Sequence, residues 1–348
     1  MKHLKSIFHS RVRKSLFFTF IAVCSGLAVG CGAPDISHMK PSVSKKAAEI
    51  FITSSTQGWT TAQAVYEAEK SNLDVWVQSV KVHQLIGQIQ QFHKKAPQGL
   101  AVVVGQWGNA DVGSSQGPLA LVPLSASTGH GKRLTVKESE VDAAYVVGYL
   151  AGLNSRFLAM PQIGLLAGIS SQPSAAAMAA ALAGVYQANP KCSIILQNIP
   201  SVQRSTHQSV YFPSQTSLPA PQLVLAAGTL SSAAQSWLLQ SHSLVYHLSA
   251  APLSASNDVA AFGFPGPSIL PELLQRYEQN DLPTSGVLSV VTPHLVILQD
   301  KMLPVSLIQA AHQLIGQIID GKLNPSVAWS KLPGNLQAAW NPFIQSGS

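Results

Sequence analysis

Apolar and polar positions alternate with two periods along this chain, and the clearest example runs from Leu134 to Gln197. Leu134-Thr-Val136 reads as a strand, and Val141, Ala144, Tyr145, Gly148, Tyr149 and Gly152 then follow helical i, i+3, i+4 spacing. Gln162 to Gly168 is a short apolar run bounded by turn residues, Ala175 to Gln187 is a second helix, and Ser193-Ile-Ile-Leu-Gln197 is a third strand. Strands alternating with helices of a dozen or so residues predict parallel sheets joined by right-handed crossovers, with helices on both faces. The expected class is α/β.

The same rhythm continues on both sides. Glu49-Ile-Phe-Ile-Thr53 predicts a first strand, and Thr60 with Gln63 forms a T-x-x-Q capping box at the next helix start. Val75-Trp-Val77 and Leu100 to Val104 predict further strands around an amphipathic helix marked by Leu85, Ile86, Ile89 and Phe92; Leu119 to Leu124 adds another strand. Downstream, strands are expected at Leu223 to Ala227, Leu244 to Leu248, Ala261 to Phe264 and Gly286 to Val291, with helices over Ser231 to Gln240 and Val305 to Ile319. Pro265, Gly266 and Pro267 interrupt the pattern and mark a crossing between lobes; an earlier crossing is placed near Phe157 to Pro161.

At 348 residues the chain is long enough for two cores. The resulting division is 1–30 as a lipoprotein signal peptide and 31–44 as a linker. An amino-terminal lobe over 45–158 is completed by part of 290–325, a carboxy-terminal lobe spans 159–290, and 326–348 forms a tail.

The formal charge of +7 suggests an acidic partner, but five of the 22 basic residues lie within the first fourteen positions, leaving 17 against 15 acidic residues. The nearly neutral remainder argues against nucleic-acid binding. Those basic residues precede a low-polarity run from Leu16 to Gly30, a pattern that describes an export signal too short to span a bilayer as a helix. Gly30 followed by Cys31 resembles a bacterial lipobox, which makes Cys31 the lipidation site and the membrane a partner through its anchor; an uncleaved signal anchor is the alternative. After cleavage only Cys31 and Cys192 remain, so acylation of Cys31 leaves no intramolecular disulfide.

Ala144-Tyr-Val-Val-Gly-Tyr-Leu-Ala-Gly-Leu153, Gln162-Ile-Gly-Leu-Leu-Ala-Gly168 and Ala183-Gly-Val-Tyr-Gln-Ala-Asn-Pro190 resemble, in order and spacing, the basic membrane protein family of substrate-binding lipoproteins. Thr56-Gln-Gly-Trp-Thr-Thr61 is similar to that family's turn after the first strand, and Gly228-Thr229 to its G-G-T-G turn. The resemblance implies a type I periplasmic-binding-protein fold, with two doubly wound parallel-sheet lobes joined by a hinge. It also implies a nucleoside-like ligand between the lobes and an ABC permease as partner. The chain departs from the family at Thr56 and Thr60, where Asp and Asn are usual. It departs again at Val245 to Ala251, which lacks the acidic pair suited to ribose hydroxyls.

Candidate ligand contacts fall in turns after strands, where parallel sheets open their crevice. Trp59 and Trp107 offer flat rings for stacking or packing between lobes, and Ser54, Gln57, Asn109, Ser170, Gln172 and Thr229 offer neutral hydrogen bonds. No catalytic, metal or cofactor site is expected. Gly113-Ser-Ser-Gln-Gly117 matches G-x-S-x-G but lacks the flanking strand and helix of a nucleophile elbow. The His residues form no H-E-x-x-H, and Gly129-His-Gly-Lys132 lacks the upstream Gly and the Ser or Thr of a P-loop. The competing class is a sensor or regulatory lipoprotein of the same fold that acts through a protein partner.

Overall fold

The computed structural model describes residues 45–53, 59–107, 112, 116–124, 133–197, 221–251 and 253–345, and the chain from Lys46 onward forms one compact unit. The expected signal peptide, the linker and Cys31 lie outside the described residues, as do most of the G-x-S-x-G segment and Gly129 to Lys132.

The first part of the chain runs β1 (Ala47–Ile52), α1 (Thr61–Ala68), β2 (Asp74–Ser79), α2 (Leu85–Lys95), β3 (Leu100–Gly105), β4 (Leu119–Pro123) and β5 (Leu134–Glu138). Then follow α3 (Glu140–Phe157), β6 (Gln162–Ala167), α4 (Ala175–Ala188), β7 (Ser193–Gln197), β8 (Leu223–Ala227), α5 (Ser232–Gln240), β9 (Leu244–His247) and β10 (Asp258–Phe262). The remainder is α6 (Leu270–Glu278), β11 (Gly286–Val290), β12 (Val296–Leu298), α7 (Val305–Ile319) and α8 (Gly334–Gln345).

Two six-stranded sheets result, ordered β11-β5-β4-β3-β1-β2 and β12-β10-β9-β8-β6-β7. Each carries its first five strands in the doubly wound order 2-1-3-4-5, and β12, antiparallel to β10, is the exception to parallel pairing. The architecture is that of a type I periplasmic-binding-protein fold. Strands buried on both faces explain the continuous apolar runs: every residue of β3, Leu-Ala-Val-Val-Val-Gly, is buried.

The boundaries between lobes differ from those expected from sequence. α3 packs against α4 and lies over β6, β8 and β10, so the chain leaves the first lobe between Glu138 and Glu140, not near Phe157. Conversely, β11 pairs with β5 along its whole length, from Gly286 opposite Leu134 to Val290 opposite Glu138. Leu270, Leu273, Leu274 and Tyr277 of α6 join Ile50, Val102 and Leu134 in the first lobe's core. Residues 267–290 therefore complete the first lobe, and 295–345 belong to the second, reversing the expected assignment of these two segments. A helix's apolar stripe states that it covers a sheet but not which sheet. Lys46 shows what holds α6 in place: its Nζ donates to the carbonyls of Tyr277 at 3.0 Å and Glu278 at 2.9 Å, a cation at a helix carboxy terminus.

The second lobe is built on a close helix pair. A Cβ on Gly148 of α3 would lie 2.0 Å from the Ala181 carbonyl oxygen of α4, and one on Gly184 would lie 2.3 Å from the Tyr145 carbonyl oxygen. The glycines that carry the family resemblance thus let two backbones touch. The expected tail is also structured, because α8 lies on α4 with Trp340 buried.

Three strands of chain now link the lobes: Glu138 to Glu140, Phe262 to Pro267, and Val290 to Leu295. They are bonded to one another. Ser139 N donates to the Val290 carbonyl at 2.7 Å, and Gly263 N to the Leu295 carbonyl at 2.9 Å.

Candidate functional site

In each lobe the described candidate residues follow strand carboxy termini, but they are placed differently in the two lobes. In the first, Thr53 closes β1 onto β3: its N donates to the Val104 carbonyl at 2.9 Å and its Oγ1 to the Gln106 carbonyl at 2.6 Å. Ser54 and Gln57 lie outside the described residues, and so does Asn109.

Trp59 follows immediately and is 1% exposed, within the core beneath α1 and α6. Its Nε1 donates to the Pro265 carbonyl at 2.6 Å, so the indole ties the first lobe to the second linking strand. The capping box expected at Thr60 forms, with Thr60 Oγ1 accepting from Gln63 N at 3.2 Å. Trp107 is likewise buried, but in the separate core beneath α2, with Phe51, Leu85, Ile89 and Phe92. The two indoles therefore lie on opposite faces of one sheet and do not form a shared stacking platform. Both are large apolar surfaces, and burying them in packed cores outweighs holding them open at an edge.

At the second lobe's edge the described turns leave polar side chains exposed. The turns after β6 and β8 are zipped by backbone bonds: Gly168 N to the Ala227 carbonyl at 2.7 Å, Ile169 N to the Thr229 carbonyl at 2.8 Å and Thr229 N to the Ser170 carbonyl at 2.8 Å. Gly228 sits at φ +94°, and a Cβ there would lie 2.4 Å from the Ser170 carbonyl oxygen, so only glycine allows this approach. With the backbone bonded internally, the side chains of Ser170, Gln172 and Thr229 remain exposed together, Gln172 reaching back to the Gly168 carbonyl at 3.2 Å. Ser171, which the sequence pattern did not single out, lies between them in the left-handed region at φ +53°.

Beside these turns the carboxy-terminal helix intervenes. Phe343 of α8 stands against Leu165, Ala167, Gln172, Met178, Leu196 and Ala227 around a void of about 10 Å³, room for about one water. Two buried acids lie at other strand ends, Asp258 at the start of β10 and Glu138 at the end of β5. Asp258 pairs with His247 at 2.8 Å and accepts from Ala255 N at 2.8 Å. Burial pushes its carboxyl up, but the bonds from His247 and Ala255 outweigh that and hold it below the usual range.

Glu138, at the end of β5, is 9% exposed and accepts from Thr292 N at 3.1 Å and from the Thr292 hydroxyl. Burial, reinforced by Asp142 and only partly offset by the Thr292 bonds, raises its pKa to about 7. Neither acid stood out in sequence, because its partner is distant along the chain or sits in an unremarkable turn.

Among the described residues no group of three or more His, Cys, Asp and Glu could hold a metal ion, and no helix is long and apolar enough to cross a membrane.

No protein-family model matches the chain, and no curated protein matches it. Solved structures do. An ABC transporter solute-binding protein from Conexibacter woesei aligns at 14% identity and a TM-score of 0.38, over 80% of this chain and 98% of its own. An ABC transporter periplasmic solute-binding protein from Actinobacillus succinogenes, with bound D-allose, aligns at 13% and 0.37, over 74% and 98%. A LacI-family transcription regulator from Clostridium acetobutylicum aligns at 11% and 0.32, over 74% and 100%. At these identities and TM-scores the likenesses decide nothing about this chain's ligand.

Proposed function

We propose that this protein is an extracytoplasmic solute-binding protein, lipid-anchored through Cys31, that holds a small neutral ligand between its lobes and presents it to an ABC permease. The observation that carries this reading is the second lobe's edge. Ser170, Gln172 and Thr229 project from turns whose backbone is already hydrogen-bonded, leaving hydroxyl and amide groups for a guest. A nucleoside-like ligand of the basic membrane protein family is the specific form proposed, and hydrogen bonds rather than indole stacking carry it, since Trp59 and Trp107 are both in cores. The chain performs no chemistry in this reading; it closes on its ligand and releases it.

Thermal-shift measurements against nucleosides, bases and sugars test it. A true ligand at about 100 times its dissociation constant adds about 2.7 kcal/mol to stability and raises the melting temperature. No rise with any member of the panel overturns the reading.

The commitment of both indoles to cores, together with Phe343 beside Gln172, favours a second reading. There the protein is a regulatory or sensor lipoprotein of the same fold that has lost small-molecule binding and acts through a protein partner. A flat thermal-shift panel from a well-folded sample is its expected outcome.

A further inference from the structure

We propose that Glu138 and Thr292 form a proton-operated clasp on the hinge, so that proton uptake or release at this carboxyl shifts the balance between the lobe arrangement described above and one in which the clasp is parted. The inference concerns the hinge and holds whichever ligand or partner the protein serves.

The geometry is specific. Glu138 ends β5 and opens the first linking strand, and Thr292 sits in the third, 154 positions later in sequence. Thr292 donates to the carboxyl through both its N and its hydroxyl, and the same hydroxyl oxygen accepts from His294 N at 3.0 Å. The third strand is in turn pressed against the second: a Cβ on Gly263 would lie 1.7 Å from the His294 carbonyl oxygen, and one on Gly266 would lie 2.2 Å from the His294 ring. Trp59 fixes that second strand through the Pro265 carbonyl. One carboxyl thus joins the first and third of three interlocked crossings where both leave the first lobe's sheet, so a lobe rotation that turns the third crossing about Val290 parts its bonds to Thr292.

No cation neutralises it among the described residues. β4 and β11, which flank β5 in the sheet, carry no titratable side chain, and Lys137 of β5 itself is not among the groups that shift it. From α3 the charge that reaches it is Asp142, whose own carboxyl is also raised by burial; Glu140, on the same first turn, is turned to Ser174 N at 2.9 Å. On the third linking strand His294 is the titratable residue.

Burial in the clasp therefore favours the protonated acid, with its pKa raised to about 7, whereas a hydrated carboxyl in a parted clasp returns towards its ordinary value of 4.5. The arrangement seen here is favoured below neutrality and loses ground as pH rises through about 7, by up to roughly 300-fold in the equilibrium for a displacement of this size.

Small-angle scattering of the protein without ligand, from about pH 5 to about pH 8.5, reads the lobe arrangement while carbon-13 NMR follows the side-chain carboxyls. The expected result is a change in radius of gyration with a midpoint near neutrality, tracking one carboxyl that disappears from the spectrum of Glu138→Gln. Glu138→Gln should keep one arrangement at every pH, and Thr292→Val, which removes a donor that favours the ionised carboxylate, should move the midpoint towards alkaline pH. The proposal is overturned if Glu138→Gln responds to pH as the parent does, or if the parent keeps one radius while its carboxyl titrates near 7. It is equally overturned if that carboxyl titrates at the ordinary value. None of these outcomes depends on ligand binding, so a failed ligand screen and a failed clasp are distinguishable.

Discussion

The two lobes share a strand order yet finish their carboxy-terminal edges in opposite ways. In the first, the described aromatic residues that follow β1 and β3 turn inward, Trp59 and Trp107 being parts of two cores. In the second, glycines bring the turns after β6 and β8 into backbone contact, and short polar side chains are left facing out. Equal topology thus does not mean equal roles. Among the described residues the first edge is tied to the second linking strand through Trp59, and the second carries the exposed side chains of Ser170, Gln172 and Thr229.

The comparison breaks most visibly at Trp59. Trp59→Ala should cost about 3–5 kcal/mol in urea unfolding, because it empties a core position and leaves the Pro265 carbonyl without its donor. Trp59→Phe keeps most of the volume and should cost about 1–3 kcal/mol. A loss below 1 kcal/mol for the alanine variant would mean that the indole is an edge residue after all.

Next comes Glu138. An acid whose pKa is raised on folding keeps its proton where the unfolded chain has already released it, so stability is highest below about 4.5 and falls as pH rises towards 7. Over that window the parent should lose about 3 kcal/mol relative to Glu138→Gln, measured as the difference between their unfolding free energies at both ends. Parallel pH profiles would remove the buried acid from the picture.

Gly148→Ala should cost about 1–3 kcal/mol, since its methyl group meets the Ala181 carbonyl and α3 must move off α4. The same change at Gly316, which has open space around it, should be neutral or slightly stabilising, as expected for alanine in a helix.

The smallest effect on stability belongs to the second edge. Gln172→Ala and Thr229→Val should each stay within about 0.5 kcal/mol of the parent in unfolding. Each should nevertheless weaken a bound ligand by about 1 kcal/mol, read by calorimetry. Unchanged affinity for both would withdraw this edge from the site.

How far these differences could be read in advance depended on the range of the interaction. The capping box of Thr60 and Gln63 spans three residues and forms as read, and the run Leu100 to Val104 is the buried strand its composition describes. The lobe assignment of α3 and β11 was not legible, because amphipathic and apolar patterns record how much surface is buried and not against what. Trp59 was ambiguous for a related reason: a tryptophan after a strand serves equally as stacking surface or as core, and its partner, the Pro265 carbonyl, lies 206 positions away.

The resemblance carried by Tyr145 to Gly152 and Ala183 to Pro190 has a mundane cause in part. Gly148 and Gly184 stand where helices touch, a constraint on packing with no ligand in it.

The late strand that completes the first sheet has a further effect on how the chain acquires its shape. β1 leaves the ribosome early, but the helix that covers it and the strand that closes its sheet wait for residues 270–290. Through most of synthesis the amino-terminal half carries an apolar face it cannot cover, bonded partners such as Lys46 and Tyr277 being separated by 231 positions. Native pairing this distant is slow to nucleate. On the proposed export route that delay is useful, because a translocation channel accepts a chain only while it remains unfolded.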